Sequence, residues 1–272
     1  MPTADPAERP AFLSGRPPGP VAVPRAVRAL VGAAPDVVWR NELGGLTFRL
    51  SDSYLKWAPA RSGLDLDAEA RRLAWAGRWT PVPALLDQGS DDEGAWIVTR
   101  ALAGRSAVDE RWLAEPRTAA RAIGAGLRAM HDALPADGCP FDWGVGARVE
   151  AARQRTAERR ASGRLDAALE AELDRREAAL DALPAAPPVD LLVVCHGDAC
   201  APNTLLDDEG RWSGHVDLGA LGVADRWADL AVAARNTVWN YGPGYEDAVV
   251  EAYGVEPDDE RAAFYRHLWD IT

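Results

Sequence analysis

Nine consecutive residues, Cys195-His196-Gly197-Asp198-Ala199-Cys200-Ala201-Pro202-Asn203, constrain this chain more than any other segment. They follow directly on the apolar run 191–195, which reads as a buried strand. Asp217 stands fourteen residues beyond Asn203, in Val216-Asp217-Leu218-Gly219, at the end of another β-rich run.

By itself, His-x-Asp needs no more than a turn with a capping carboxylate. With a strand before it, an asparagine five residues on and an Asp-Leu-Gly after it, it has the spacing of a phosphoryl-transfer lobe. In such a lobe one aspartate meets the attacking hydroxyl. An asparagine and a second aspartate offer oxygen atoms to a hard divalent cation.

Lysine usage adds a second constraint. The chain has 30 Lys and Arg residues, and only Lys56 is lysine. A strong codon bias toward arginine would erode lysine wherever a guanidinium serves equally well. A compact ammonium differs from a wide planar fork, so Lys56 marks a place where that difference counts, or a chance survivor in a strand.

Runs 37–41, 47–50 and 54–58 read as an antiparallel meander, with Gly44-Gly45 in its first turn. Helical spacing through 64–79 is stopped by Pro81, and strands follow at 84–88 and 96–100. After Leu102 the texture turns helical, over 116–134, 148–183, 224–238, 245–253 and 257–269, with strands at 191–195, 204–207 and 212–217. Strands first and helices afterwards predict an α+β fold of two lobes joined near 100–104. Residues 1–20, rich in Pro and Gly, read as a flexible tail.

The composition, 47% hydrophobic and 26% charged, permits a sizeable core. A net charge of −12 argues against nucleic acid and suits a cationic ligand, or solubility alone. Apolar runs stay well short of the ~18 residues that cross a membrane. No leader peptide is visible at the N-terminus. Cys139, Cys195 and Cys200 have neither disulfide nor zinc spacing, which fits a reducing cytoplasm.

On residues 196–203, 97–99, 139–142 and 217–229 the chain resembles the aminoglycoside O-phosphotransferases of the kanamycin/neomycin-kinase type, which share the protein-kinase fold. The similarity spans about residues 37–272 and is densest over 191–235. The resemblance implies that ATP or GTP with Mg²⁺ binds a lobe formed by 21–101, against a catalytic and substrate-binding lobe formed by 102–272. It implies phosphate transfer to a hydroxyl of a cationic aminoglycoside, the 3′-hydroxyl above all, with antibiotic resistance as the role.

Residue by residue, Asp198 matches the catalytic aspartate, Asn203 and Asp217 the metal ligands, Lys56 the phosphate-binding lysine, and Glu69 its partner. Gly44 and Gly45 match the phosphate-side turn, and Thr99, Arg100 and Leu102 the adenine hinge. His196, Asp229 and Arg235 match residues that support the site, and His131 reads as a packed or loop-holding histidine.

The substrate side departs from the family pattern. Ala220 replaces an arginine after Asp-Leu-Gly, and Trp239 and Trp269 stand where acids are common. Asp270 and the carboxylate of Thr272 remain as candidate grips for a cation, with Asp166, Glu170 and Glu172 on a helix. Two alternatives stay open: a kinase of another small amino-containing or macrolide substrate, and a silent kinase-like binding protein.

Overall fold

The computed structural model describes residues 15–32, 35–161, 163 and 166–272. The N-terminal part comprises α1 (Arg25–Val31), β1 (Asp36–Arg40), β2 (Leu46–Arg49), β3 (Ser53–Pro59), α2 (Leu66–Ala76), β4 (Leu85–Ser90) and β5 (Gly94–Arg100). Its strands form one antiparallel sheet in the order β1-β2-β3-β5-β4.

Alternation along β3 sets the two faces of this sheet. Leu55 and Trp57 join Val27, Leu46 and Phe48 in one apolar cluster. Lys56 has the opposite parity and is aimed at the other face, with Thr47 and Ile97 as its cross-strand neighbours. On that second face lies α2. The Asp65 side chain caps α2 by accepting from the Ala68 amide at 2.8 Å. Leu66, Ala70 and Leu73 are its buried apolar stripe.

Beyond Arg100 come β6 (Arg105–Ser106), α3 (Glu110–Leu113), α4 (Pro116–Ala133), α5 (Val145–Ala161), α6 (Ala167–Asp181) and β7 (Leu192–Cys195). A 3₁₀ turn (Ala201–Asn203), β8 (Thr204–Leu206), β9 (Trp212–His215), β10 (Gly222–Asp225), α7 (Trp227–Tyr241), α8 (Glu246–Tyr253) and α9 (Asp259–Ile271) complete the chain. Their shared core includes Trp112, Ile123, Leu127, Leu230, Val249 and Leu268.

The fold is α+β, as the strand-then-helix pattern predicts. A further apolar cluster crosses between the halves. Leu73, Val82 and Ile97 meet Met130, Val194, Leu218 and Leu221 there. Burying a side chain of this size is worth about 1.5–3 kcal/mol, so this layer fixes the sheet over the loop that carries Asp217.

Several local expectations change. The stretch 148–183 forms two helices, because Asp166 starts a new one by accepting from the Leu169 amide at 2.9 Å. Residues 224–225 belong to β10, which pairs with β7, and the helix expected there begins at Trp227. Helix α1 was not expected: it has only seven residues, two of them buried, too few to show a period. Of the tail placed at 1–20, residues 1–14 lie outside the described residues. Gly15 exchanges two backbone hydrogen bonds with Arg40, at 3.0 and 2.8 Å.

Candidate active site

The loop between β7 and β8 carries His196, Asp198 and Asn203. Gly197 turns it with φ +84°, and a Cβ there would lie 2.2 Å from the carbonyl oxygen of Ala220, so the position demands glycine. Asp229 in α7 holds the loop from below. Its carboxylate accepts from the amides of His196 and Gly197, at 2.6 and 2.9 Å, and from Nε2 of His131 at 3.0 Å. Burial opposes ionisation of Asp229, but the His131 bond and the other donors hold its carboxyl below the ordinary range. Nδ1 of His131 in turn accepts from the Tyr253 hydroxyl at 2.9 Å.

His196 links two loops. Its Nε2 donates to the carbonyl of Val216 at 3.0 Å, which leaves Nδ1 to accept the Asp198 amide at 3.3 Å. Asn203 is tied to the same region, because its carbonyl accepts the Val216 amide at 3.0 Å. The β8–β9 pairing, with Thr204 opposite His215, therefore brings Asn203 beside Asp217.

Asp198 is held at both carboxylate oxygens. Nδ2 of Asn203 donates to Oδ2 at 3.1 Å, and the Cys200 thiol donates to Oδ1 at 2.9 Å. Burial, and then the Asp217 charge, raise the Asp198 carboxyl above the usual aspartate range. Burial and the adjacent Asp198 push the Cys200 thiol well up.

Lys56 closes the site from the sheet. Nζ lies 2.7 Å from Oε2 of Glu69 and 2.7 Å from Oδ1 of Asp217. Burial works against the ammonium, but Asp217 and Glu69 together carry its pKa above the ordinary lysine value. Glu69 is itself buried, and a Cβ added at Gly219 of the Asp-Leu-Gly turn would lie 3.7 Å from its Oε2. The structure thus brings Lys56, Glu69, Asn203, Asp198 and Asp217 into one connected cluster.

Other expected positions fare differently. The amide of Gly45 turns inward onto Oδ1 of Asn41, at 2.7 Å, and the Gly44 amide bonds the Asn41 carbonyl, so this turn satisfies itself. Of the residues expected at the hinge, Thr99 pairs across to Tyr54 and Leu85, and Leu102 follows just past β5. The amide of Arg100 donates to the Ala84 carbonyl at 2.8 Å, and it is not free for a base.

Asp270 grips Arg235 through two hydrogen bonds, at 2.7 and 2.8 Å, while its side chain stays about half exposed. Trp239 and Trp269 stack on the same guanidinium, with ring centres 4.7 and 5.1 Å away. The Thr272 hydroxyl accepts from Arg148 at 3.0 Å and its backbone oxygen from Arg155. Asp166 caps α6, and Glu170 lies exposed one turn on.

Sequence reasoning missed two contributors. Asn236 accepts the Ala201 amide at 2.7 Å and steadies the 3₁₀ turn from α7. The contact of Cys200 with Asp198 was missed too, since cysteine spacing reports on disulfides and zinc, not on a thiol turned to its neighbour.

The model of the phosphotransferase enzyme family matches residues 25–265. An aminoglycoside 3′-phosphotransferase of Streptomyces fradiae is 40% identical over 78% of this chain and 81% of its own length. A streptomycin 3″-kinase of Streptomyces griseus is 38% identical over 94% of this chain and 98% of its own. Among solved structures, an aminoglycoside-3′-phosphotransferase of type VIII superposes with a TM-score of 0.69 at 31% identity, covering 91% of this chain and 98% of that one. A match over most of the chain, two relatives above 35% identity and a site built on Asp198, Asn203 and Asp217 agree: this chain belongs to the phosphotransferase enzyme family.

Proposed function

We propose that the protein transfers the γ-phosphate of a nucleoside triphosphate, with Mg²⁺, to a hydroxyl of an aminoglycoside, and so confers resistance to it. The observation that carries this reading is the bridge of Lys56 to Glu69 and Asp217, built beside an Asp198 held at both carboxylate oxygens. A relative from Streptomyces rimosus, solved with ADP and streptomycin, superposes with a TM-score of 0.64 at 31% identity over 90% of this chain and 95% of that one.

The residues present fit a magnesium ion. Asn203 spends its amide nitrogen on Asp198, which leaves its oxygen end for a cation. Asp217, its side chain 45% exposed, already faces one cation in Lys56. An all-oxygen set with few carboxylates suits Mg²⁺ better than a soft metal. Bound there, the ion would neutralise charge on the phosphates.

The chain's own groups do the rest. Lys56 binds phosphate oxygens as a point charge, and Glu69 keeps it aimed. Asp198 orients the acceptor hydroxyl and takes its proton late, because phosphoryl transfer is largely dissociative and asks little of a base.

An ATP-consumption assay over an aminoglycoside panel, with choline and a macrolide as controls, tests the reading. Turnover of kanamycin or neomycin supports the 3′-hydroxyl. Turnover of streptomycin alone supports the 3″-hydroxyl, a second reading favoured by the relative that matches along 94% of the chain. Turnover of choline or the macrolide but of no aminoglycoside overturns the substrate class. Loss of turnover with EDTA, restored by MgCl₂, is the expected metal dependence. Asp198→Ala should lower turnover by about 10²–10⁴-fold while ADP still binds.

A further inference from the structure

None of the roles assigned above uses Cys200, yet its thiol touches the group that meets the acceptor. We propose that Cys200 is a positioning residue: its S–H bond fixes one oxygen of Asp198, so that the carboxylate presents a set lone pair to the acceptor hydroxyl. This rests on the reading of Asp198 as the group that takes the hydroxyl proton.

Sγ of Cys200 lies 2.9 Å from Oδ1, and Nδ2 of Asn203 lies 3.1 Å from Oδ2. With one side-chain donor on each oxygen, rotation of the carboxylate is opposed from both sides. Each carboxylate oxygen has two acceptor sites, so one donor apiece still leaves room for a substrate proton.

The thiol is itself well anchored. The carbonyl of Cys200 accepts the Asn203 amide at 2.9 Å, and the next amide, Ala201, is held by Asn236 at 2.7 Å. Both bonds stiffen the start of the 3₁₀ turn that carries Cys200 as its cap. The other two cysteines donate to backbone carbonyls, Cys139 to Phe141 at 3.7 Å and Cys195 to Asp225 at 3.4 Å. Cys200 alone of the three bonds a side chain of the reacting cluster.

The choice of sulfur has a chemical consequence. A thiol is a weak donor, so it orients the carboxylate while drawing less charge from it than a hydroxyl or amide would. Misplacing a reacting group by about 1 Å is worth about a hundredfold in rate, so a weak bond at this point suffices to matter.

Steady-state kinetics of Cys200→Ala and Cys200→Ser test the proposal, with ATP, Mg²⁺ and whichever panel aminoglycoside the wild type turns over fastest. Cys200→Ala is expected to lower kcat by about tenfold or more, with nucleotide KM and Tm little changed. Cys200→Ser keeps a donor and should return kcat to within about threefold of wild type.

A Cys200→Ala enzyme with wild-type kcat overturns the proposal, as does an effect confined to acceptor KM. Equal losses of kcat and Tm in both variants also overturn it, because the side chain then only fills space. Asp198→Asn separates the two readings. Full turnover in that variant refutes the role of Asp198 itself. An inactive Asp198→Asn beside a fully active Cys200→Ala refutes only the role given to the thiol.

Discussion

Nζ of Lys56 stands 2.7 Å from Oδ1 of Asp217, although 161 residues separate them. The same ammonium bonds Glu69, so one charge ties β3, α2 and the Asp-Leu-Gly turn together. Asp217 adopts φ +63°, a left-handed conformation that costs a non-glycine residue free energy. Among the described residues only Arg61 shares this feature. The strain sits where the carboxylate must be aimed.

Lys56→Ala should raise the nucleotide KM by about 10–100-fold, the range expected for losing a charged hydrogen bond to phosphate. Lys56→Arg should not restore it, because a planar fork does not fit between Glu69 and Asp217 as an ammonium does. Initial-rate kinetics with varied ATP and varied acceptor decide the matter. A change in acceptor KM alone would remove Lys56 from the nucleotide side.

Asp229→Asn should destabilise the protein by about 2–4 kcal/mol. An asparagine has one acceptor oxygen for the three donors of His196, Gly197 and His131, and the group is fully buried. Urea unfolding of the variant checks this. A loss under about 0.5 kcal/mol would show that the loop does not depend on this anchor.

His215 should make stability fall in mild acid. Its ring is buried beside His196, and among the described residues neither ring nitrogen has a hydrogen-bond partner. Burial, and then repulsion from His196, hold its pKa well below 6.5. The unfolded chain therefore takes a proton below pH ~6.5 that the folded chain refuses. Stability should drop by up to about 1.4 kcal/mol per pH unit as the pH falls below that point, and stay level with respect to this group above it. Unfolding of wild type and His215→Leu between pH 7.5 and pH 5 measures the slope. An identical slope in both would exclude His215 as its source.

Asp270 pairs with an arginine that is itself clasped by two tryptophans. Its side chain is about half exposed, so Asp270→Asn should cost no more than about 1 kcal/mol of stability. Because its carboxylate is committed to Arg235, acceptor KM should change by less than about threefold. A rise of about tenfold or more would return Asp270 to the role of a substrate grip.

The class of chemistry and most of the order of elements were legible in the residues alone. The spacing of Asp198, Asn203 and Asp217 after an apolar strand was legible as a phosphoryl-transfer pattern, whereas Lys56 stood out as the one lysine and took its expected role from the family resemblance. The strand-then-helix texture carried the α+β class, since burial periodicity is local information. Which side chains meet came from packing between segments far apart in the chain. Glu69 was named only through the resemblance; the packing of α2 on the sheet is what brings it, among several helix acids, to Lys56. That Asp270 pairs inward, that the Arg100 amide is taken by Ala84 and that the Cys200 thiol turns onto Asp198 follow from backbone placement over long sequence separations or from a turn's exact rotamer. Such contacts have no period and no composition; they exist only once the apolar layer of Leu73, Ile97, Leu218 and Leu221 has set the two halves against each other.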